Sequence, residues 1–195
     1  IKESVQQVLL GEVGAWGTGL LPGNALLGVE KAASPIKDLV DTVRVAHTHG
    51  GASLLQFKSY KQGRKAFEAS FVDLIHDDEE VPLDIHTEQL LRTMDTTGTG
   101  RREGCLYVTF TPLEGLSETV LEYLPGGELP EGPQPGEKHV TLVGWDDVPH
   151  LSEASKASLR ASIPAYQLDA RTRGIPMLGA GAIYPVEEAL WLVDD

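Results

Sequence analysis

The chain is short of cysteine, of positive charge and of long apolar runs, and each shortage removes a class of protein. It has one cysteine, Cys105, which excludes an internal disulfide framework and a cysteine-rich zinc site. Its apolar runs, such as Leu54-Leu55 and the neighbours of Val108, fall far below the roughly 20 residues that cross a bilayer, so no membrane partner is expected. Lys and Arg number 16 against 29 Asp and Glu, a net charge of −13. A surface that grips DNA electrostatically needs Lys and Arg facing phosphate. This stretch is therefore not expected to supply the main hold on a nucleic acid. The chain opens Ile1-Lys2-Glu3, with no initiator Met and no basic and apolar leader; we expect a piece of something longer. Gly-x-Ser-x-Gly is missing, which removes the nucleophile-elbow hydrolases. The six histidines (His47, His49, His76, His86, His139, His150) include no His-x-x-x-His, and we expect solvated or hydrogen-bonded rings rather than metal ligands.

What is present is ordinary globular composition: 41% hydrophobic, 23% charged and a mean hydropathy of −0.13. The length of 195 residues suits one sizeable core, or a core with a small appendage. Cys105 is expected to be a small core hydrophobe at a strand start. Trp16, Trp145 and Trp191 are expected to be packing anchors. The grouped bases Lys58, Lys61, Arg64 and Lys65, and Arg101-Arg102, read as solvated surface.

The hydrophobic spacing lays out the elements. Residues 1–10 have helical spacing, stopped by Gly11, and 14–37, rich in Gly and Pro, read as a long surface segment. Residues 40–47 and 53–57 are β-like and flank His49-Gly50-Gly51, which predicts a hairpin. Helix is expected over 61–69, strand over 71–75, helix over 84–94, strand over 106–110 and helix over 117–124. Residues 125–137 hold four Pro and four Gly, too many for a helix or sheet interior. Beyond them, strand is expected over 139–145 and helices over 152–162 and 165–173. Alternating strands and helices before residue 125 predict an α/β fold, a mostly parallel sheet with one hairpin attached.

The chemistry concentrates at 71–82, Phe-Val-Asp-Leu-Ile-His-Asp-Asp-Glu-Glu-Val-Pro, which sets acids directly after a strand. In parallel α/β sheets, ligands bind at the carboxyl ends of strands. A nucleoside triphosphate site needs a carboxylate there to hold Mg²⁺, often through water. It also needs a second acid to orient and deprotonate the attacking water. Asp78 can serve the metal and Glu79 the water. Asp77 exchanges roles with Asp78 if the strand ends earlier, since a buried, unpaired carboxylate is costly. The plain alternative is an acidic surface turn. About thirty residues on, Leu106-Tyr-Val-Thr-Phe-Thr-Pro112 ends a second strand in two hydroxyls, Thr109 and Thr111, although Thr is also simply a good strand former.

These segments come in a definite order. Phe57-Lys-Ser-Tyr-Lys-Gln-Gly-Arg-Lys-Ala-Phe67 precedes the acidic strand, then follow Ile85-His-Thr-Glu-Gln-Leu-Leu-Arg-Thr93 and the Thr-Phe-Thr-Pro-Leu turn. With residues 148–152 and 173–181, the order and spacing resemble the large subunit of tailed-bacteriophage terminases, the DNA-packaging motor. The resemblance implies a recA-like P-loop-NTPase-type parallel sheet, here partial, with an inserted β-hairpin and a small helical linker or lid subdomain. Its parts would be the C-terminal part of the ATPase core at 1–124, a Pro/Gly-rich loop at 125–138, and the linker at 139–195 leading to an absent nuclease domain. It implies that Asp78 is the Walker B aspartate serving Mg²⁺ through water and Glu79 the catalytic glutamate. Thr109 and Thr111 would belong to the coupling motif. Arg64 would stand where an arginine finger can lie, or be a surface helix arginine. It implies ATP and Mg²⁺ as cofactors and double-stranded viral DNA, a portal and a small terminase subunit as partners. It also implies a ring oligomer in the host cytoplasm. One part of the family's pattern is missing: no Gly-x-x-x-x-Gly-Lys-[Ser/Thr] phosphate loop occurs in the chain. The fragment alone is therefore expected to be inactive. Other readings are a non-catalytic prophage remnant or interaction module of the same fold, and an unrelated α/β ATPase or helicase domain.

Overall fold

The computed structural model describes residues 5–68, 71–94, 104–130 and 138–176. The chain divides into two compact units, residues 1–66 and 67–195.

The first unit is built on a three-stranded antiparallel sheet. Strands β1 (Leu26–Lys31), β2 (Val40–Ala46) and β3 (Ala52–Gln56) lie in the order β1-β2-β3. The predicted hairpin is β2–β3, with Val43 opposite Leu55 and Ala46 opposite Ala52. Strand β1 was not expected, because it lies in the segment whose Gly and Pro content suggested surface loop. It pairs with β2 from Leu26↔Val45 to Lys31↔Val40 through two irregularities. Central β2 supplies the buried Val40 and Val43, and the short helix α1 (Gln7–Leu10) supplies Leu10. Leu9, Trp16, Leu21, Leu26, Val29, Val45, Leu55 and Phe57 pack around these three. The Gln6 amide is buried and bridges the chain: its Nε2 donates to the Asp38 carbonyl at 3.1 Å and its Oε1 accepts from the Val40 amide at 2.9 Å. His47 and His49 belong to the hairpin turn, and their ring centroids are 5.5 Å apart.

The expected helix over 61–69 is replaced by two 3₁₀ turns, Tyr60–Gln62 and Arg64–Phe67. Ser59 and Gln62 form a capping box on the first turn, and Gly63 at φ 72° ends it, a conformation that glycine adopts without steric cost. Ala69, the end of the expected helix, lies outside the described residues.

The second unit holds β4 (Leu74–Asp78), α2 (Leu83–Thr93), β5 (Cys105–Thr109) and α3 (Glu118–Tyr123). Strands β4 and β5 are parallel, with Leu74↔Cys105 through Asp78↔Thr109 in register. Parallel neighbours need a crossover, and here it includes α2, which packs on β4, β5 and α3. Buried Val81, Ile85, Val120 and Leu124 mark the inner side of this region. Strand β4 runs three residues beyond the expected apolar segment. The reason is alternation: Leu74, His76 and Asp78 are exposed, while Ile75 is half-buried and Asp77 buried. A strand needs a two-residue period, not an unbroken apolar run. Cys105 is exposed at the start of β5, correcting its expected place in the core; it shares the outward face with Tyr107.

The expectation of a mostly parallel sheet is corrected in part. Among the described residues the parallel sheet is two-stranded, and the hairpin belongs to a separate antiparallel sheet. Among the described residues of the tail, α4 (Glu153–Ser162) and α5 (Leu168–Arg173) form, with a 3₁₀ turn at Ala165–Gln167 ahead of α5. Ser152 caps α4, its Oγ accepting from the Ser155 amide. No strand forms over 139–145. Alternation alone does not make a strand without a neighbour to take its hydrogen bonds, and the backbone turns instead through a 3₁₀ turn at Trp145–Asp147. Arg160 lies over the Trp145 ring, 5.7 Å from its centroid. Residues 131–137, Arg101-Arg102 and Trp191 lie outside the described residues.

Candidate functional site at the carboxyl edge of the parallel pair

The acids at the end of β4 divide by direction. Asp77 faces inward and is 3% exposed; Asp78, on the opposite face, and Glu79, beyond the strand end, are both exposed. A buried carboxylate is tolerated only with strong partners. Gln89 of α2 provides one, its Nε2 donating to Asp77 Oδ1 at 2.8 Å in a buried hydrogen bond. Bonds to charged groups contribute about 1.5–3 kcal/mol net, which offsets part of the cost of burying this carboxylate. The strand continues to Asp78, and of the two aspartates it is Asp78 that opens to solvent at the carboxyl edge.

Thr109 ends β5 directly beside Asp78. Its hydroxyl meets two groups of β4: Nε2 of His76 at 3.1 Å and the Asp77 carbonyl at 3.3 Å. A hydroxyl has one proton to donate. Donation to the carbonyl leaves its oxygen to accept from the His76 ring. The Thr109 carbonyl accepts from the Glu79 amide at 2.8 Å. Thr111, two residues beyond the strand, is exposed, and its carbonyl takes the Leu113 amide at 2.8 Å. Glu79 sits at φ 82°. A non-glycine residue there costs about 1–3 kcal/mol and persists where its surroundings fix it.

The structure thus brings Asp78, Glu79, Thr109 and Thr111 to one edge of one small sheet. Arg64 is exposed on its 3₁₀ turn in the first unit. Several residues escaped sequence reasoning. Gln89 follows Ile85 by four positions on the buried side of α2, so its helical spacing from a buried apolar residue was the available signal. His76 had no such signal, because only the β4–β5 register puts it beside Thr109. Behind the edge, the Tyr123 hydroxyl meets His86 Nε2 at 3.2 Å. Burial, with Asp77 and Glu122 adding negative charge, pushes the Tyr123 pKa up to about 12. Burial likewise lowers that of His86; neighbouring Lys138 adds to this and Glu122 opposes it.

Among the described residues no group of three His, Cys, Asp or Glu side chains could cage a metal. A nucleotide-bound Mg²⁺ needs no such cage. It takes one or two carboxylates and fills its shell with phosphate oxygens and water, a demand that an exposed Asp78 fits. No Gly-x-x-x-x-Gly-Lys-[Ser/Thr] motif occurs in these residues.

A parallel βαβ unit, with acids at the carboxyl edge of one strand and hydroxyls at that of the next, makes this an α/β protein; in parallel α/β sheets that edge is where ligands bind. The family model described as terminase large subunit, T4likevirus-type, N-terminal, matches residues 4–190. The chain belongs to the terminase large subunit family. It is 30% identical over 197 residues to the terminase large subunit of Salmonella phage P22, covering 96% of this chain and 36% of that protein. It is 32% identical over 108 residues to the terminase large subunit of Enterobacteria phage LP7, covering 55% of this chain and 20% of that one. The chain thus spans about a third or less of the length of these relatives. No solved structure matches it.

Proposed function

We propose that this chain contributes part of the ATPase centre of a terminase large subunit, which couples ATP hydrolysis to packaging of viral DNA. One observation carries the reading: in a chain of this family, Asp78 and Glu79 emerge at the carboxyl edge of parallel β4 beside Thr109 of β5. Asp78 would hold Mg²⁺ through water, and that ion supplies charge neutralisation at the phosphates when bound. Glu79 would orient the attacking water and take its proton. Thr109 and Thr111 would couple the nucleotide state to the rest of the protein, and Arg64 would act as an arginine finger. The small parallel sheet would be part of a recA-like core, with residues 139–195 the linker or lid. The partners would be double-stranded viral DNA, a portal and a small terminase subunit, in a ring assembled in the host cytoplasm. Among the described residues, no helix is long and apolar enough to cross a membrane.

Titration of Mg²⁺-ATP into the complete protein and its Glu79→Gln variant tests this. Retained binding with turnover reduced about 10²-fold or more is the expected result for loss of a general base. Equal turnover in both proteins removes Glu79 from the chemistry. One observation favours a second reading, a non-catalytic interaction module of the same fold: the phosphate-loop motif is missing from the sequence. That reading gains if the wild type neither binds nor hydrolyses the nucleotide.

A further inference from the structure

Glu80 is the third acid of the edge and points the other way. One carboxylate oxygen accepts a hydrogen bond from the Ser117 hydroxyl; the other, Oε2, is buried. The next residue, Val81, is 1% exposed, and its carbonyl accepts from Thr119 Oγ1 at 2.7 Å in a buried bond. Ser117 also caps α3, its Oγ accepting from the Val120 amide at 3.1 Å. The first turn of α3 therefore grips two successive residues of the acidic turn. On the other side the Glu79 amide is tied to the Thr109 carbonyl at 2.8 Å, and Asp78 is held in register with β5. Glu79 lies between these two anchored points, at φ 82°. Short-range sequence preference does not put a glutamate there; the anchors on its two sides do.

We propose that Glu80 is a positioning residue: with Ser117 and Thr119 it forms a clamp from α3 that holds Glu79 in its left-handed backbone conformation and so aims the Glu79 carboxylate. Glu80 acts as a hydrogen-bond acceptor turned into the fold, and its charge is not needed for metal or water. The inference deepens the ATPase reading and rests on it for the role of Glu79, whereas the clamp itself is testable without nucleotide.

The test is a thermal cycle joined to a rescue series in the complete protein. In the wild-type background, Glu79→Gly relieves the positive φ and should raise the unfolding midpoint by about 2–4 °C. In a Glu80→Ala background the turn is free to relax, and the same change should give no rise. An equal rise in both backgrounds overturns the clamp. Should Glu80→Ala not fold, Thr119→Val, which is nearly isosteric and removes the bond to Val81, supplies the relaxed background. In the ATPase assay, Glu80→Ala should lower kcat about tenfold or more with KM changed less than about twofold, the signature of misaimed chemistry. Glu80→Gln keeps an acceptor oxygen for Ser117 and should restore turnover to within about threefold of wild type. A Glu80→Gln variant as inactive as Glu80→Ala makes the charge essential and overturns the positioning role. A wild type without ATPase activity refutes the functional reading only, and the thermal cycle then decides the clamp alone.

Discussion

Single side chains behind the acidic edge set how the second unit responds to pH. His86, with its pKa lowered mainly by burial, is neutral in the fold, while the unfolded chain takes up its proton near pH 6.5. Between the folded and unfolded pKa values the unfolded state binds more protons, so stability falls as pH drops below about 6.5. Tyr123 works on the opposite side. Its hydroxyl, raised to about 12 in the fold, stays protonated where the unfolded chain has lost that proton, so stability falls as pH rises above about 10. Urea midpoints measured across pH should show both flanks. His86→Gln should flatten the acid one, and Tyr123→Phe the alkaline one, at a cost of about 1 kcal/mol near neutrality for the lost bond to His86. A Tyr123→Phe profile parallel to wild type above pH 10 would contradict the assignment. These two positions also show where sequence reasoning stops. The expectation of solvated or hydrogen-bonded rings did not separate His86 from the other histidines: its partner Tyr123 lies 37 positions away, and no local pattern links the two.

Elements depend on close approaches that residue type alone reveals only in part. Gly104 leads into β5, where a Cβ would stand 2.7 Å from the Val72 carbonyl and 2.9 Å from that of Asp73. Both obstacles are backbone and cannot swing aside. Gly104→Ala should therefore destabilise the unit by about 1–3 kcal/mol through overpacking, with early loss of amide protection in β4 and β5. Unchanged protection would mean that the strands slide apart cheaply. The same pair shows why β4 was placed three residues early. Apolar content marks a strand when both faces are buried, but β4 has one outward face. Its polar end, His76-Asp77-Asp78, reads as strand only once Gln89 is known to meet Asp77. The starts of α3 and α4 were easier, since the caps Ser117 and Ser152 are local signals. The 3₁₀ turns at 60–67 and the lone run at 139–145 were not, because tertiary partners decide whether a marginal segment takes regular form.

For the whole molecule, charge governs what the chain does with DNA. With Asp and Glu exceeding Lys and Arg by 29 to 16, counterion release from phosphate has few cations to drive it. The chain by itself should bind duplex DNA more weakly than about 10⁻⁴ M at physiological salt, the weak end of non-specific binding. Fluorescence anisotropy with a short labelled duplex measures this, and micromolar affinity would assign the DNA grip to these residues after all. The two compact units keep separate ledgers of packing. The antiparallel unit closes over Leu10, Val40 and Val43, and the parallel unit carries the acidic edge.

The sequence by itself determined the family, the acids at 77–80 and the hydroxyls at 109 and 111, because chemistry that needs a residue type at a set spacing is written in one dimension. It also determined most helices, whose hydrogen bonds and periodicity are local. Only the tertiary structure decided that Asp77 turns inward to Gln89 while Asp78 opens to solvent, that β1 joins the hairpin, and that Cys105 is exposed. It alone decided that Glu80 points back to Ser117. Each of these depends on which distant backbone or side chain stands opposite, and strand pairing and hydrogen bonds between positions 12 to 38 apart leave no mark in the order of the residues.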